Sequence, residues 1–328
     1  MKSPRTQFIL LALNNASLVL FIAVLAVFGA LSPRFFTGPN LVNILIQSAS
    51  TAIVAIGMTF VLLTAGVDLS VGAIMFLAAA VAGKMVLGGA PLWLALAVIL
   101  LIGLAFGAVN AFFITRLRLI AFIVTLATLY LGRGFALWFT ETRAMNLPPS
   151  FLAIGTERWL GIPLPVFILA AAVVVAQVVL ARTPFGRQIY AVGHDAEVAR
   201  KAGVNTGRLL AAVYVISGFC AAVGGILALA QLGAVSPTFG TNKEFAAIAA
   251  AVLGGTSLFG GRGKVFPGTV LGALLIQSVE NGLVVLNADP YLYPLITSAI
   301  IFSAVLTDSI RSDLLSKLGR RKIRVEEA

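Results

Sequence analysis

A carboxylate set between two long apolar runs is the first group in this sequence that could do chemistry. It is Asp68, in Thr64-Ala65-Gly66-Val67-Asp68-Leu69-Ser70-Val71-Gly72. An acid in such a setting is costly and often handles solute or protons. It also stands just before an apolar run, where its oxygens can take up the free N–H groups of a starting helix. Gly66 and Gly72 permit a tight turn and close helix approach around it. Capping and turn architecture suit these residue types better than solute contact.

A second polar set recurs at helical spacing. Asn43, Gln47 and either Ser50 or Thr51 share one face of an apolar run. Gln277, Glu280 and Asn281 do the same in another. Amides and a carboxylate can bind hydroxyl-rich solutes, because they supply both donors and acceptors. Polar groups within a membrane face the bundle interior rather than lipid. They serve equally well as hydrogen bonds between neighbouring helices.

The run Leu253-Gly254-Gly255-Thr256-Ser257-Leu258-Phe259-Gly260-Gly261-Arg262-Gly263-Lys264 invites a phosphate-loop reading. The spacing fails, because Gly263-Lys264 is followed by Val265 and no strand precedes it. It reads as a tight turn between two packed segments, and the chain has no ATP site of its own. The single histidine, His194, and the single cysteine, Cys220, give neither a metal set nor a disulfide. No nucleophile–base set is visible, so no catalytic residue is assigned.

The elements that must position these groups are membrane spans. The chain has 328 residues, of which 60% are hydrophobic and 11% charged, with a mean hydropathy of +1.04. Soluble domains carry about 25% charge. A chain this apolar needs a bilayer as its solvent, which predicts an all-α polytopic protein. The net charge of +11 suits basic loops beside membrane spans and anionic lipid rather than nucleic acid. Apolar runs broken by glycine, proline and charge give ten spans in a single transmembrane domain over 1–328. They lie at 12–31, 41–65, 69–88, 92–114, 120–140, 164–181, 209–231, 244–260, 266–286 and 291–308. The eighth, rich in alanine and glycine, is either a crossing or a short, broken helix. Lys2 and Arg5 before the first run resemble a signal peptide, but the run continues past Asn15 and reads as an uncleaved span.

Charge orients these spans. With the N-terminus inside, 17 of the 23 lysines and arginines fall on the inner side, in the tails and in the loops around Arg116, 182–208 and Arg262. Arg34, Lys84, Arg143, Arg158 and Lys243 fall outside, and Arg133 lies within the fifth span, where it could snorkel. This is the positive-inside asymmetry, with both termini cytoplasmic. The outer stretch 141–163 reads as a cap on that face, and Trp93, Trp138, Tyr291 and Tyr293 as an interfacial belt. The tail from 309 reads as a short cytoplasmic helix or extension.

The largest inner loop, 182–208, contains Gly186-Arg187-Gln188-Ile189-Tyr190-Ala191-Val192-Gly193-His194. Asp195 then reads as an N-cap, Glu197 as a first-turn acid and Gly203 as a C-terminal stop. The spacing predicts a two-turn helix with small residues at 196, 199 and 202, either a docking surface or a solvated one.

Together, Gly66 to Gly72, Gly186 to Val204 and Val252 to Gly263 resemble, in order, the signatures of permease subunits of bacterial ATP-binding-cassette importers of the ribose/xylose/arabinose/galactose type. Pro33 to Thr37 and Asn40-Leu41 resemble that family's first outer loop. The likeness runs from about residue 30 to 307, with Ala202 where many relatives have serine. The resemblance implies a bacterial inner-membrane subunit working as a homo- or heterodimer of permeases. It implies an ATPase partner that holds ATP and Mg²⁺, and a periplasmic sugar-binding protein that delivers the solute. It assigns Asp195, Ala196, Glu197, Ala199, Arg200 and Gly203 to the coupling helix on the ATPase. An ion-coupled transporter relaying through Asp68 and Glu280, and an importer of the same class for branched-chain amino acids, are the alternative readings.

Overall fold

The computed structural model describes residues 16–289 and, beyond them, 291–293, 295, 296, 298, 299, 302 and 306. The first residues of the first expected span, half of the tenth, and the tail from 309 lie outside the described residues.

The chain folds as a helical bundle. Helix α1 spans Ala16–Leu31, α2 Gly38–Leu63, α3 Val71–Leu87, α4 Leu92–Thr115 and α5 Ala121–Thr140. A short helix α6, Pro149–Thr156, precedes α7, Leu164–Arg182. Then come α8, Pro184–His194, α9, Ala196–Lys201, α10, Thr206–Leu232, and α11, Lys243–Leu253. A wide turn at Val265–Thr269 leads into α12, Val270–Val285. Six of these helices, counting the wide turn with α12, are long and apolar enough to cross a membrane among the described residues; α1 and α3 are apolar but shorter. The protein is therefore an all-α, multi-pass membrane protein.

Helix starts follow local chemistry. Proline sits in the first turn of α2, α6, α7 and α8, where its missing N–H costs nothing. The side chains of Thr183, Asp195 and Asn205 cap α8, α9 and α10 by accepting backbone N–H groups. The turn after α2 takes its left-handed residue at Ala65 (φ 58°), not at Gly66.

Burial sorts the helices into layers. Every residue of α2 from Ser48 to Leu63 is buried, and α10 packs along it. These two central helices meet through Gly57 beside Ser217 and Cys220, and Gly224 beside Val54. A second close crossing sets Gly103 and Gly107 of α4 against the backbone of Gly218 and Tyr214 on α10. Small residues allow such contact where lipid offers no hydrophobic drive for association. The outward faces of α4, α5 and α7 present Leu101, Phe112, Ile123, Leu131, Trp138, Val174 and Val175. That is an apolar exterior suited to hydrocarbon.

The 141–163 stretch does pack as a cap on one end of the bundle. Met145–Asn146 (β1) pairs with Ala234–Val235 (β4) after α10, while Arg158–Trp159 (β2) and Ile162–Pro163 (β3) form a hairpin. Phe151 of α6 is fully buried, and Gly155 lies against the Ala230 backbone. Trp93, Trp138 and Tyr291 are exposed as expected of a belt, but Tyr293 turns inward to a cavity.

The region expected at 244–260 is a short helix and a turn. At 11 residues, α11 is about 16 Å long. That is roughly half of a 30 Å hydrocarbon core. It stops at Leu253 because Gly254 abuts the Gly268 backbone and Gly255 takes φ +90°.

Candidate functional site

The amide groups picked out at helical spacing meet across one interface, between α2 and α12. Asn40 and Asn281 form a reciprocal pair, each donating an amide N–H to the other's carbonyl oxygen at 2.9 and 3.0 Å. One and two turns further along α2, Gln277 donates to Gln47 (2.8 Å) and Gln47 to Asn43 (3.1 Å). The result is a ladder of side-chain amides running down the inside of the bundle.

The ladder faces a cavity of about 870 Å³. Asn43 and Gln47 line it from α2, and Gln277, Glu280, Asn281 and Val284 from α12. Thr241, Asn242, Lys243, Phe245, Ala246 and Ile248 line it from α11 and the turn before it. Tyr293, Ser298 and Phe302 complete the wall. Two further pockets, of about 510 and 420 Å³, share Asn43 with it and carry Arg34 and Arg158. The composition is amides, single charges, alanines and aromatic rings, which matches a passage for a polar, uncharged solute better than a dry packing core.

Of the other expected path residues, Thr51 is buried and does not line the cavity; its hydroxyl meets the Lys243 ammonium at 3.4 Å. Ser50 turns away and donates to the Gly224 carbonyl of α10 (2.8 Å). The sequence reading missed the contribution of Thr241, Asn242 and Lys243, having set Lys243 in an outer loop. Because α11 is a half-length helix, its first residue stands level with Thr51, at the middle of α2. The signal was present: Thr241-Asn242-Lys243-Glu244 is a polar quartet heading an alanine-rich run too short to cross. Arg133, expected within the fifth span, is tied to the loop ahead of α11. Its guanidinium donates to the Pro237 carbonyl (3.2 Å) and to Thr241, and lies over the Phe76 ring, so it fixes the loop entering α11.

Asp68 lies away from the cavity and is fully buried. One oxygen accepts the N–H (3.0 Å) and hydroxyl (2.6 Å) of Ser70, and the other accepts the Ser217 hydroxyl of α10 (2.7 Å). The chain continues: Asn110 of α4 donates to Ser70 (2.8 Å), and Thr128 of α5 donates to Asn110 (2.8 Å). The expected helix cap is thereby corrected. Asp68 holds Ser70 rather than the free N–H groups of α3, and joins four helices through one satisfied network. Gly66 is confined by the Tyr214 hydroxyl, and Gly72 by the Gly240 carbonyl and Glu244.

At the opposite end from the cap, the three glycine-rich segments converge. The Gly261 N–H donates to the carbonyl of Leu63, the last residue of α2 (2.9 Å). Gly193 of α8 sits so close that a β-carbon there would overlap the same Leu63 carbonyl and reach the Gly261 nitrogen at 2.6 Å. The Tyr190 hydroxyl donates to the Gly263 carbonyl (2.9 Å). Burial pushes the Tyr190 phenol above its ordinary pKa, so it remains a donor. From this joint the Asp195-capped helix α9 projects. Asp195 accepts the N–H groups of Glu197 and Val198, both at 2.9 Å, and Glu197 pairs with Lys201 at 3.0 Å. Gly203 takes φ +88° and ends the helix. The expected small-residue face splits: Ala196 and Ala202 are exposed, but Ala199 is buried within this chain. Val198, 60% exposed, is the apolar residue that α9 offers outward.

A family model for the permease component of branched-chain amino acid transport systems matches residues 40–306. The chain belongs to that family. The permease is 39% identical over 302 residues to the ribose import permease protein RbsC of Escherichia coli K12, covering 90% of this chain and 94% of that protein. The corresponding protein of Bacillus subtilis 168 is 38% identical over 296 residues, covering 89% and 91%. The D-allose transport system permease protein AlsC of Escherichia coli K12 is 35% identical over 292 residues, covering 88% and 89%. No solved structure matches. The matched region of the permease includes both the amide ladder and the joint below α9.

Proposed function

We propose that the chain is the membrane-spanning subunit of an ATP-binding-cassette importer that carries a monosaccharide or similar small polyol across the bacterial inner membrane. The observation that carries this reading is the amide-lined cavity between α2, α11 and α12, in a chain akin over nine-tenths of its length to permeases named for ribose and D-allose. A polyhydroxylated solute gains from amides that both donate and accept, and loses little by leaving water where such groups replace its hydration. Asn43, Gln47, Gln277, Glu280 and Asn281 are the solute-facing groups in this reading, and Thr51 acts through Lys243.

Ten spans place both termini in the cytoplasm, and the end bearing α8 and α9 faces the same side. There α9 is the coupling helix. Ala196, Glu197, Val198 and Arg200 meet an ATPase subunit that binds ATP and Mg²⁺, while Asp195, Ala199 and Gly203 shape the helix. A periplasmic sugar-binding protein delivers solute at the capped end, and a second permease chain completes the passage. Against an ion-coupled relay through Asp68 stands its full set of hydrogen bonds, distant from the cavity lining.

Purification of the tagged chain from its host in mild detergent, followed by mass spectrometry, tests the assignment. An ATPase subunit and a sugar-binding protein are expected in the eluate, and proteoliposomes of the complex should take up ribose or a related sugar only with ATP inside. Uptake that persists without ATP and collapses with an uncoupler would overturn it.

A further inference from the structure

Two charges face the main cavity from adjacent elements without pairing. Lys243 leads α11 and Glu280 stands on α12, and both line the cavity. Among the described residues neither forms an ion pair. Their depths differ. The Lys243 ammonium is held by Thr51, which is 13 residues from the start of the 26-residue α2. At 1.5 Å per residue that is about 20 Å along α2, near its midpoint. Glu280 lies between Gln277, level with Gln47, and Asn281, level with Asn40, and so nearer the capped end. The remaining charges close by are Arg133 and Glu244. They stand next to one another behind the cavity wall, and neither lines it.

We propose that Lys243 and Glu280 form a two-stage charge filter that makes the passage selective for neutral polyols and tight to ions; this rests on the cavity being the solute path. An anion entering from the capped end meets the Glu280 carboxylate first. A cation that passes Glu280 meets the Lys243 ammonium at mid-depth, where low surrounding dielectric makes like charges repel strongly. A neutral polyol meets no barrier of either sign, and its hydroxyls can accept from Lys243 and donate to Glu280. An importer that opens during every cycle needs such a filter, because an unguarded polar passage of this size would admit Na⁺ and K⁺.

The test uses the importer complex in proteoliposomes, with ion leak read by a voltage-sensitive dye under an imposed K⁺ gradient during ATP turnover. Lys243→Met should raise K⁺ leak at least tenfold over the unaltered protein, while Lys243→Arg, which keeps the charge, stays at the unaltered level. Glu280→Gln should raise chloride leak at least tenfold instead, with K⁺ leak unchanged. Recovery of each variant as a monodisperse complex that hydrolyses ATP shows that folding is intact, and Lys243→Gln serves if Lys243→Met is not recovered. A separate probe tests the underlying reading: Ala246→Cys, on the cavity wall, against a membrane-impermeant thiol reagent, with Cys220 buried as a silent background. If Cys at 246 reacts but the Lys243 variants leak no more K⁺ than the unaltered protein, the filter is wrong and the path stands. If it does not react, the cavity is not a water-filled path and both fall.

Discussion

Asp68 shows how a membrane protein can keep a carboxylate at low cost. Each of its oxygens has a hydrogen-bond donor, and one of these donors, Ser70, is bonded onward through Asn110 to Thr128. Buried polar groups are tolerable when fully connected and costly when one member is removed. Asp68→Ala should therefore destabilise the detergent-purified protein by about 2–4 kcal/mol, since it strands Ser70 and Ser217 in an apolar interior. Ser217→Ala, which leaves one carboxylate oxygen without its donor, should cost less, about 1.5–2 kcal/mol. Thermal unfolding followed by tryptophan fluorescence measures both, and equal losses would show that the network is not organised around the carboxylate. At the cavity, Gln277→Leu removes a rung of the ladder and leaves Gln47 without its donor. In the proposed reading the substitution also takes one donor–acceptor amide from the solute, worth about 1–1.5 kcal/mol, so sugar uptake should fall roughly tenfold while the protein is still recovered folded.

At the scale of elements, α9 is a short rod on a rigid mount. Its mount is the contact of Gly193 with Leu63 and Gly261, together with the Tyr190–Gly263 hydrogen bond. A β-carbon at 193 has no room against backbone, so Gly193→Ala should move α8 and α9 together. Expected is loss of the co-purifying ATPase with insertion retained, checked by pull-down from membranes. Two tryptophan substitutions then separate surface from core. Val198→Trp, on the exposed side of α9, should abolish recovery of the ATPase while leaving the chain's own melting temperature within a degree or two. Ala199→Trp, on the buried side, should lower the melting temperature itself by several degrees, because overpacking costs about 1–3 kcal/mol. Equal behaviour of the two would mean that α9 is not seated as observed.

For the whole molecule, the bundle is built around α2 and α10, with apolar-faced helices outside and a half-length α11 inserted beside the cavity. A half-helix places charged residues in the middle of a membrane protein without exposing them to lipid, because the loop that leads to it is itself packed inside. Arg133 secures that loop at Pro237 and Thr241. The orientation is testable as one property. A fluorescent protein fused after Ala328 should fluoresce, and alkaline phosphatase fused after Leu160, which is 96% exposed in the turn of the β2–β3 hairpin, should be active. The reverse pattern would invert every assignment of sides.

The sequence by itself determined the class of protein, the approximate limits of its long helices and the polar groups that share a helix face. Each of those depends on local composition or helical period, as with the apolar run at 92–114, found as Leu92–Thr115, or the spacing of Asn43 with Gln47. It also marked the caps at Asp195 and the stop at Gly203, since capping is a contact between residues a few positions apart. Only the tertiary structure decided which polar groups share a space. That Gln47 meets Gln277, that Asp68 binds Ser217 as well as its neighbour Ser70, and that Ala199 points inward are contacts between distant parts of the chain or matters of how an element is docked. The same holds for Lys243. Its depth follows from where α11 begins relative to α2, and no window of sequence contains that distance.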